Sequence, residues 1–152
     1  MKVDVRTEAV IERARAEVSA FAGDPSNAPR WYANIQSIDW KTRPPIGVGS
    51  RMAFVARFLG RRLEYTYEVV ELVPGERLVM RTADGPFAME TTYTWSDAGA
   101  GRTRMGLRNR GEPTGFAGIA GPVMAAAMRR ANQKDLERLK KILERSSPIR
   151  GG

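Results

Sequence analysis

The chain has no cysteine and no histidine among its 152 residues. Without cysteine it has no disulfide framework and no thiol nucleophile. Without histidine it lacks the commonest general base, the Ser-His and Cys-His catalytic pairs and every zinc site that uses histidine. Any chemistry must rely on Asp, Glu, Tyr, Lys, Arg, backbone groups or a bound cofactor. No metal-ligand spacing is present, and we predict neither a metal site nor a cofactor.

Long apolar runs are also lacking. No segment approaches the roughly 20 apolar residues of a membrane span, and the first residues, MKVDVRTEAVIERA, carry too many charges for a signal peptide. We therefore expect a cytoplasmic protein with no integral membrane segment. The length suits one core, and we expect a single domain over residues 1–146 with a flexible tail over 147–152.

The formal net charge is +8. The arginines are scattered over predicted strands, turns and the last helix, which favours an Arg-rich solvated surface. We predict no nucleic-acid partner. The alternative is an Arg-rich surface that binds an acidic partner, an anionic membrane or the phosphates of a nucleic acid.

The first quarter of the chain predicts a strand and two short helices. Residues 2–12 alternate between apolar and charged side chains, as in a half-exposed strand. A short helix follows from about Arg15 and stops at Gly23-Asp24-Pro25. The segment SNAPRWYANI then predicts a second short helix, capped by Ser26 or Asn27.

The next 80 residues alternate strands and turns, and the turns predict registers. A Gly60-Arg61 turn places Phe54 opposite Tyr67 and Arg57 opposite Glu64. An Asp84-Gly85 turn places Met80 opposite Met89 and Leu78 opposite Thr91. Across SDAGAG, Tyr93 is expected opposite Met105 and Trp95 opposite Thr103. In each hairpin one face becomes apolar or aromatic.

A type II Pro74-Gly75 turn puts Val69 opposite Met80 but also turns Glu71 inward. Two outcomes are open: a β-bulge that shifts the strand end, or a partly buried carboxylate. Only the carboxylate would be functional.

The last predicted helix begins near Pro122 and carries an apolar stripe along one side. Its members are Val123, Met124, Ala127, Met128, Ala131, Leu136, Leu139 and Leu143. Helices segregated from a run of antiparallel strands indicate an α+β fold in which a curved sheet wraps around the long helix.

This order of elements, β-α-α-β6-α, resembles the START-like or SRPBCC superfamily, the Bet v 1-like helix-grip proteins. The segments DPSNAPRW, YEVVELVPGERLVMRT and MRRANQKDLERLKKILE carry the likeness, which extends over about residues 2–145 and is strongest to the bacterial polyketide cyclase/dehydrase and lipid-transport group. The resemblance implies a seven-stranded antiparallel sheet and a hydrophobic cavity between sheet and long helix. By position, the residues of that cavity are Trp31, Phe54, Phe58, Tyr65, Tyr67, Met80, Met89, Tyr93, Met105, Met124 and Met128.

Trp31 and Tyr32 are neighbours that a helix directs about 100° apart. We expect Trp31 at the cavity end and Tyr32 at the rim. A filled core is the alternative to a cavity. Inward tyrosines and converging methionines favour the cavity, because buried phenols require partners and methionine suits adaptable surfaces.

Three functions follow as hypotheses. The first is binding of a hydrophobic or aromatic small molecule, lipid-like or polyketide-like, as a carrier or sensor, with the Gly115–Gly121 segment moving to admit it. The second is a polyketide aromatase/cyclase or dehydrase whose tyrosines orient a poly-ketone; Asn109, Asn132 and Glu71 are further polar candidates, and Glu90 and Arg108 join them if the registers are off by one. The third is the Arg-rich interaction surface. Whether the chain forms a homodimer is left open.

Overall fold

The computed structural model describes residues 2–84, 88–113, 116 and 118–145, with Asp84 described by its backbone alone. Its elements are β1 (Val3–Ile11), α1 (Arg15–Ala22), a 3₁₀ turn (Pro25–Asn27), α2 (Ala28–Trp31), β2 (Ile35–Trp40), β3 (Arg51–Phe58), β4 (Arg61–Val73), β5 (Arg77–Asp84), β6 (Ala88–Asp97), β7 (Thr103–Glu112) and α3 (Gly121–Arg145).

The strands form one antiparallel sheet in the order β1-β7-β6-β5-β4-β3-β2. Leu136, Leu139 and Leu143 of α3 join the same core cluster as side chains of the sheet and the short helices. This is the helix-grip architecture that the order of elements predicts, with seven strands in the described part of the chain. None of the described helices combines the length and the hydropathy needed to span a bilayer.

Strand β1 follows its sequence pattern closely. Val3, Val5, Thr7 and Ile11 are buried, while the charged residues between them are exposed. Period-two alternation of this kind places every second side chain on the covered face. The predicted half-exposed strand is confirmed.

The hairpin of β3 and β4 keeps its predicted face but not its predicted register. Phe54 lies opposite Tyr65 rather than Tyr67, because the turn is Leu59-Gly60, whose φ angles of 50° and 77° are both positive, as a type I′ turn requires. The offset is two residues. Since side chains alternate with period two, the aromatic face still points inward.

The same offset removes the predicted pairing of Arg57 with Glu64. Arg57 lies opposite Arg62, and Arg62 forms an ion pair with Glu64 of its own strand, 3.0 Å between nitrogen and oxygen. All three side chains are exposed, so this pairing contributes little to stability.

The hairpin of β5 and β6 is also two residues out of the predicted register. Met80 lies opposite Thr91 rather than Met89, and Leu78 lies opposite Tyr93 rather than Thr91. Gly85, in the turn we expected, lies outside the described residues.

The hairpin of β6 and β7 repeats this offset. Tyr93 lies opposite Leu107 rather than Met105, and Trp95 lies opposite Met105 rather than Thr103. Pairing continues to Asp97 and Thr103 because the loop closes tightly between them. In the loop, Gly99 and Gly101 have φ angles of 117° and 69°.

A bulge at the end of β4 settles the position of Glu71. Val69 lies opposite Met80 as predicted, but the register then shifts and Glu71 pairs with Val79. The exposed Glu71 carboxylate accordingly forms an ion pair with Arg77 at 3.2 Å. Glu71 is not a buried carboxylate.

The short helices begin differently from the expected caps. Helix α1 starts at Arg15 as predicted, but the Asp24 carboxylate caps the following 3₁₀ turn by accepting from the Ser26 N–H at 3.0 Å. Asn27 precedes α2 without a side-chain cap. Ser26 instead accepts from the Trp40 indole at 2.9 Å. Residues 147–152, the expected tail, and part of the Gly115–Gly121 segment lie outside the described residues.

Candidate ligand cavity

A cavity of about 160 Å³ lies between the inner face of the sheet and α3. Most of its wall is apolar: Ile35, Phe54, Phe58, Leu63, Leu78, Met80, Met89, Phe116, Met124 and Met128 line it. Strands β2 to β7 supply one side and the first four turns of α3 the other. Ligand sites in proteins are mostly apolar with a few placed polar groups, and this wall has that character.

Aromatic rings pack against one another along the strand side of the cavity. The Phe54 and Tyr65 rings stack with centroids 5.5 Å apart, and the Tyr65 and Tyr67 rings meet edge to face at 5.2 Å. Such contacts hold rings in fixed orientations. The phenol groups of β4 are thereby positioned against the cavity.

One chain of hydrogen bonds runs across three strands. The Thr91 hydroxyl donates to Asn109 Oδ1 at 2.6 Å, and the Tyr67 hydroxyl lies 2.8 Å from Thr91 Oγ1. A threonine hydroxyl has a single proton, so Tyr67 is the donor to Thr91. Tyr67 therefore presents a lone pair, not a proton, to anything bound in the cavity.

A second polar pair lies near α2. The hydroxyl oxygens of Tyr32 and Tyr93 are 2.5 Å apart. Only one of the two protons is used between them. The accepting tyrosine keeps its own proton, and this pair therefore has a hydroxyl donor that it can offer to a ligand.

The cavity phenols are held neutral. Burial raises the pKa of Tyr67 to about 12, and it raises the pKa of Tyr32, Tyr65 and Tyr93 well above the ordinary value. Desolvation disfavours the phenolate in each case. These groups can orient a ligand by hydrogen bonding but do not serve as bases at neutral pH.

Two polar side chains of α3 also line the cavity. Asn132 is 6% exposed and its side-chain nitrogen has no hydrogen-bond partner among the described residues. Asp135 is 3% exposed and accepts from the Ala33 N–H at 3.0 Å. Burial raises the pKa of Asp135 to about 6, against the lowering effects of the Ala33 N–H and Arg138.

The other sequence candidates point away from the cavity. Glu90 bridges Arg81 and Arg110, at 2.9 and 2.8 Å, and Arg108 pairs with Asp4 at 2.7 Å. None of these charged groups on the strands lines the cavity. Among the described residues, no group of three or more carboxylates is arranged to hold a metal ion.

The sequence model for polyketide cyclases/dehydrases and lipid-transport proteins matches residues 2–144. The chain belongs to this family. No curated protein sequence matches it at a significant level.

Solved structures of similar fold agree with the family. A protein from Thermus thermophilus is 23% identical with a TM-score of 0.79, covering 95% of this chain and 99% of its own. A START superfamily protein from Mycobacterium smegmatis is 14% identical with a TM-score of 0.81, covering 93% and 97%. The Zhui aromatase/cyclase from Streptomyces sp. R1128 is 15% identical with a TM-score of 0.78, covering 100% and 99%. At these identities the likeness shows the shared fold.

Nine of the eleven residues predicted for the family's cavity line this one. They are Phe54, Phe58, Tyr65, Tyr67, Met80, Met89, Tyr93, Met124 and Met128. The hairpin registers predicted for the seven strand residues were off by two, but an even shift leaves each side chain on its predicted face. Met124 and Met128 were predicted from the apolar stripe of the last helix. Their contact with a ligand stays a prediction.

Trp31 and Met105 do not line the cavity, although both are fully buried. The Trp31 ring packs behind Tyr32, with centroids 4.1 Å apart. Tyr32 was predicted at the rim, but it lines the cavity and bonds Tyr93. Helix α2 ends at Trp31 and Tyr32 is extended, so the 100° rotation expected between helical neighbours does not apply.

Asp135 was missed because an acidic residue on a long helix is typical of the solvated face. A signal was present, since Met128, Asn132, Asp135 and Leu139 follow one another at spacings of four, three and four. Such spacing places side chains along one stripe of a helix. Thr91 likewise follows Met89 by two residues on the inward face of β6.

Proposed function

We propose that this protein binds a hydrophobic or aromatic small molecule, lipid-like or polyketide-like, in the cavity between sheet and α3, and acts as a carrier or sensor. The observation that carries the proposal is an apolar cavity whose few polar groups are neutral hydroxyls and amides beside one buried carboxylate. The family, which includes lipid-transport proteins, supports it.

Affinity would come mainly from apolar burial, at roughly 25 cal/mol for each Å² removed from water. A cavity of about 150 Å³ lined by aliphatic and aromatic side chains accommodates benzene, so the volume here suits one ring without rearrangement. Drug-sized ligands occupy about 300 Å³ or more. A larger ligand, the two-ring naphthalene probes included, therefore requires Met80, Met124 or Met128 to adopt other rotamers, which methionine does readily.

A filled-cavity variant tests this function. Met124 is fully buried in the wall, whereas its neighbour Val123 is 61% exposed. Met124→Trp should abolish binding of a naphthalene probe, followed by ligand fluorescence, and Val123→Trp should leave it unchanged. Circular dichroism and thermal unfolding check that both variants fold. Unchanged binding in a folded Met124→Trp protein would refute the proposal.

The natural ligand is best sought by extraction. Small molecules that co-purify with the wild-type chain, and that are missing from Met124→Trp, would be identified by mass spectrometry. Met124→Trp serves as the control because a non-specifically adsorbed compound would be recovered from both proteins.

A second candidate function is that of a polyketide aromatase/cyclase or dehydrase. The free hydroxyl proton of the Tyr32–Tyr93 pair favours it, because a neutral phenol can donate to a substrate carbonyl and stabilise charge that develops on it. The structural likeness to the Zhui aromatase/cyclase and to the di-domain aromatase/cyclase BexL, which is 18% identical with a TM-score of 0.71, makes a poly-β-ketone the substrate to try.

Tyr→Phe variants, each of which removes one hydroxyl, test the proposed enzyme activity. Either tyrosine of the pair can be the one that keeps its proton, so Tyr32→Phe and Tyr93→Phe are both tested. The variant that removes the free donor should lower the rate of poly-β-ketone cyclisation by about 100-fold or more, as loss of a positioned donor does. Tyr67→Phe should lower it less, since Tyr67 turns its proton toward Thr91. Equal rates in the wild type and in Tyr32→Phe, Tyr65→Phe, Tyr67→Phe and Tyr93→Phe would eliminate this candidate.

The remaining sequence predictions stay proposals. We propose a cytoplasmic protein without a nucleic-acid partner, and a homodimer is left open. Many charged side chains on the outer face of the sheet are paired with each other, as in Arg104–Glu8 at 2.9 Å and Arg51–Glu68 at 2.8 Å. This pairing favours a solvated surface over a site for an anionic partner; steep salt dependence of binding to RNA or anionic vesicles would reverse that choice.

A further inference from the structure

Two polar side chains of α3 meet the cavity at the same place. Asn132 and Asp135 are three residues apart on a helix, hence neighbours on one face, and both line the cavity and are more than nine-tenths buried. Polar groups are seldom buried without partners. Their chemistry defines what the cavity can accept at this end.

Asn132 supplies an unused donor. Its Nδ2 atom is buried and has no hydrogen-bond partner among the described residues. Leaving such a donor unpaired is unfavourable, so the folded protein gains from any ligand atom that accepts from it. Neither an ammonium group nor a hydrocarbon provides that acceptor.

Asp135 supplies a fixed acceptor. The Ala33 N–H donates to Oδ1 at 3.0 Å and ties the carboxylate to the segment that follows α2. The hydroxyl pair of Tyr32 and Tyr93 lines the same cavity as Asp135. Because Ala33 follows Tyr32 in the chain, its hydrogen bond places the Asp135 carboxylate on the side of the cavity that Tyr32 lines. The hydrogen-bonded Tyr67, Thr91 and Asn109 are a further polar group in the cavity wall.

We propose that Asn132 and Asp135 form a head-group site for a neutral ligand hydroxyl, which donates to Asp135 and accepts from Asn132. A hydroxyl offers both functions from a single atom. The proposal rests on the proposed binding function and narrows it, because it selects phenols, enols and alcohols over carboxylic acids. A ligand carboxylate would have no proton for Asp135 and would place two negative charges together in a buried site.

Three probes with the same ring system separate the contributions of the apolar cavity, the hydroxyl and the carboxylate to the binding affinity. Naphthalene reports the apolar cavity, naphthol adds the hydroxyl, and naphthoate adds a carboxylate. At pH 8, where Asp135 is charged, we expect naphthol to bind about tenfold or more tighter than naphthalene, and naphthoate to bind weaker than naphthalene. Titrations are followed by probe fluorescence.

Two variants distinguish recognition from damage to the fold. Asp135→Asn should weaken naphthol by about tenfold, strengthen naphthoate and leave naphthalene within about twofold, whereas general damage would weaken all three probes. Asn132→Leu should weaken naphthol and leave naphthalene unchanged or tighter. This opposite response of naphthol and naphthoate is what a merely structural role of Asp135 does not produce.

The outcomes are separable. If naphthalene binds but naphthol binds no tighter, or naphthoate binds as tightly as naphthol, the head-group site is overturned and the binding function stands. If none of the three probes binds to the wild-type protein, the binding function is overturned together with the head-group site that depends on it.

Discussion

The hydroxyl oxygens of Tyr32 and Tyr93 are 2.5 Å apart, although 61 residues separate them in the chain. Their contact joins the end of α2 to the middle of β6 across one side of the cavity. The Trp31 ring lies behind both, with ring centroids 4.1 Å from Tyr32 and 5.7 Å from Tyr93. A buried core thus supports a polar pair that faces the ligand space.

The Tyr32–Tyr93 pair should be energetically coupled. Tyr32→Phe and Tyr93→Phe should each lower the free energy of unfolding by about 1 kcal/mol, and the double variant should lose less than the sum, because one hydrogen bond is removed in all three. Urea denaturation measures the three values. The control cycle combines Tyr32→Phe with Tyr67→Phe, whose hydroxyl bonds Thr91 instead. Equal coupling energies in the two cycles would mean that the hydrogen bond between Tyr32 and Tyr93 makes no specific contribution to stability.

Substitutions at Trp31 and Tyr32 should separate an effect on stability from an effect on ligand binding. Trp31 is 0% exposed, and Trp31→Ala should cost roughly 3–5 kcal/mol of unfolding free energy as a core truncation. Tyr32→Phe keeps the ring and should cost much less, but it should change naphthol affinity because the Tyr32 hydroxyl faces the cavity. Chemical denaturation and naphthol titration give the two quantities. A loss below about 1 kcal/mol for Trp31→Ala would show that its indole is not core.

The inward faces of the strands could be predicted from the sequence because they depend only on alternation. Met80 and Tyr93 point inward in the predicted and the observed registers alike, since the two differ by an even number of residues. The exact partners could not be predicted. Gly60 suits the first position of one two-residue turn and the second of another. The chain adopts the second, although Leu59 then takes an unfavourable positive φ.

The helical spacing indicates an inward position for Asp135, but the contact that holds its carboxylate could not be predicted, for a different reason. The Ala33 N–H that donates to Asp135 lies two residues after the end of α2. Its approach to the carboxylate depends on how a four-residue helix docks on α3. Local patterns do not contain such a contact. Tyr32 was misplaced for the same reason, since α2 ends one residue before it.

The turn between β3 and β4 carries a residue poorly suited to its conformation. Leu59 has a φ of 50° and is 49% exposed, so it bears left-handed strain with limited packing in return. Leu59→Asn should raise the free energy of unfolding by about 0.5–1 kcal/mol, since asparagine is preferred before glycine in type I′ turns. Thermal unfolding measures the gain. Leu59→Ala is the control, because it removes the side chain without the preference of asparagine; an equal gain from both would assign the effect to lost exposed surface.

Asp135 should give the protein a measurable pH dependence of stability. Its pKa is raised from 3.8 to about 6 by burial, so between these values the folded state binds more protons than the unfolded state. Stability contributed by the neutral form is then fully present below about pH 4 and lost as the pH rises through 6, a change of about 3 kcal/mol. Asp135→Asn removes this dependence.

The measurement is the difference in unfolding free energy between wild type and Asp135→Asn, taken by urea denaturation from about pH 3.5 to about pH 7.5. The facing tyrosines do not interfere, because burial raises the pKa of Tyr32 and Tyr93 and keeps both neutral over this range. Met128→Leu keeps the Asp135 carboxylate, so its unfolding free energy should change with pH as that of the wild type does. As the pH rises, the wild type should lose unfolding free energy relative to Asp135→Asn, since only the wild type must then bury a charge. A flat difference would show that water reaches Asp135 freely, and a change in the opposite direction would show that the carboxylate is stabilised by Arg138 and the Ala33 N–H more than it is destabilised by burial.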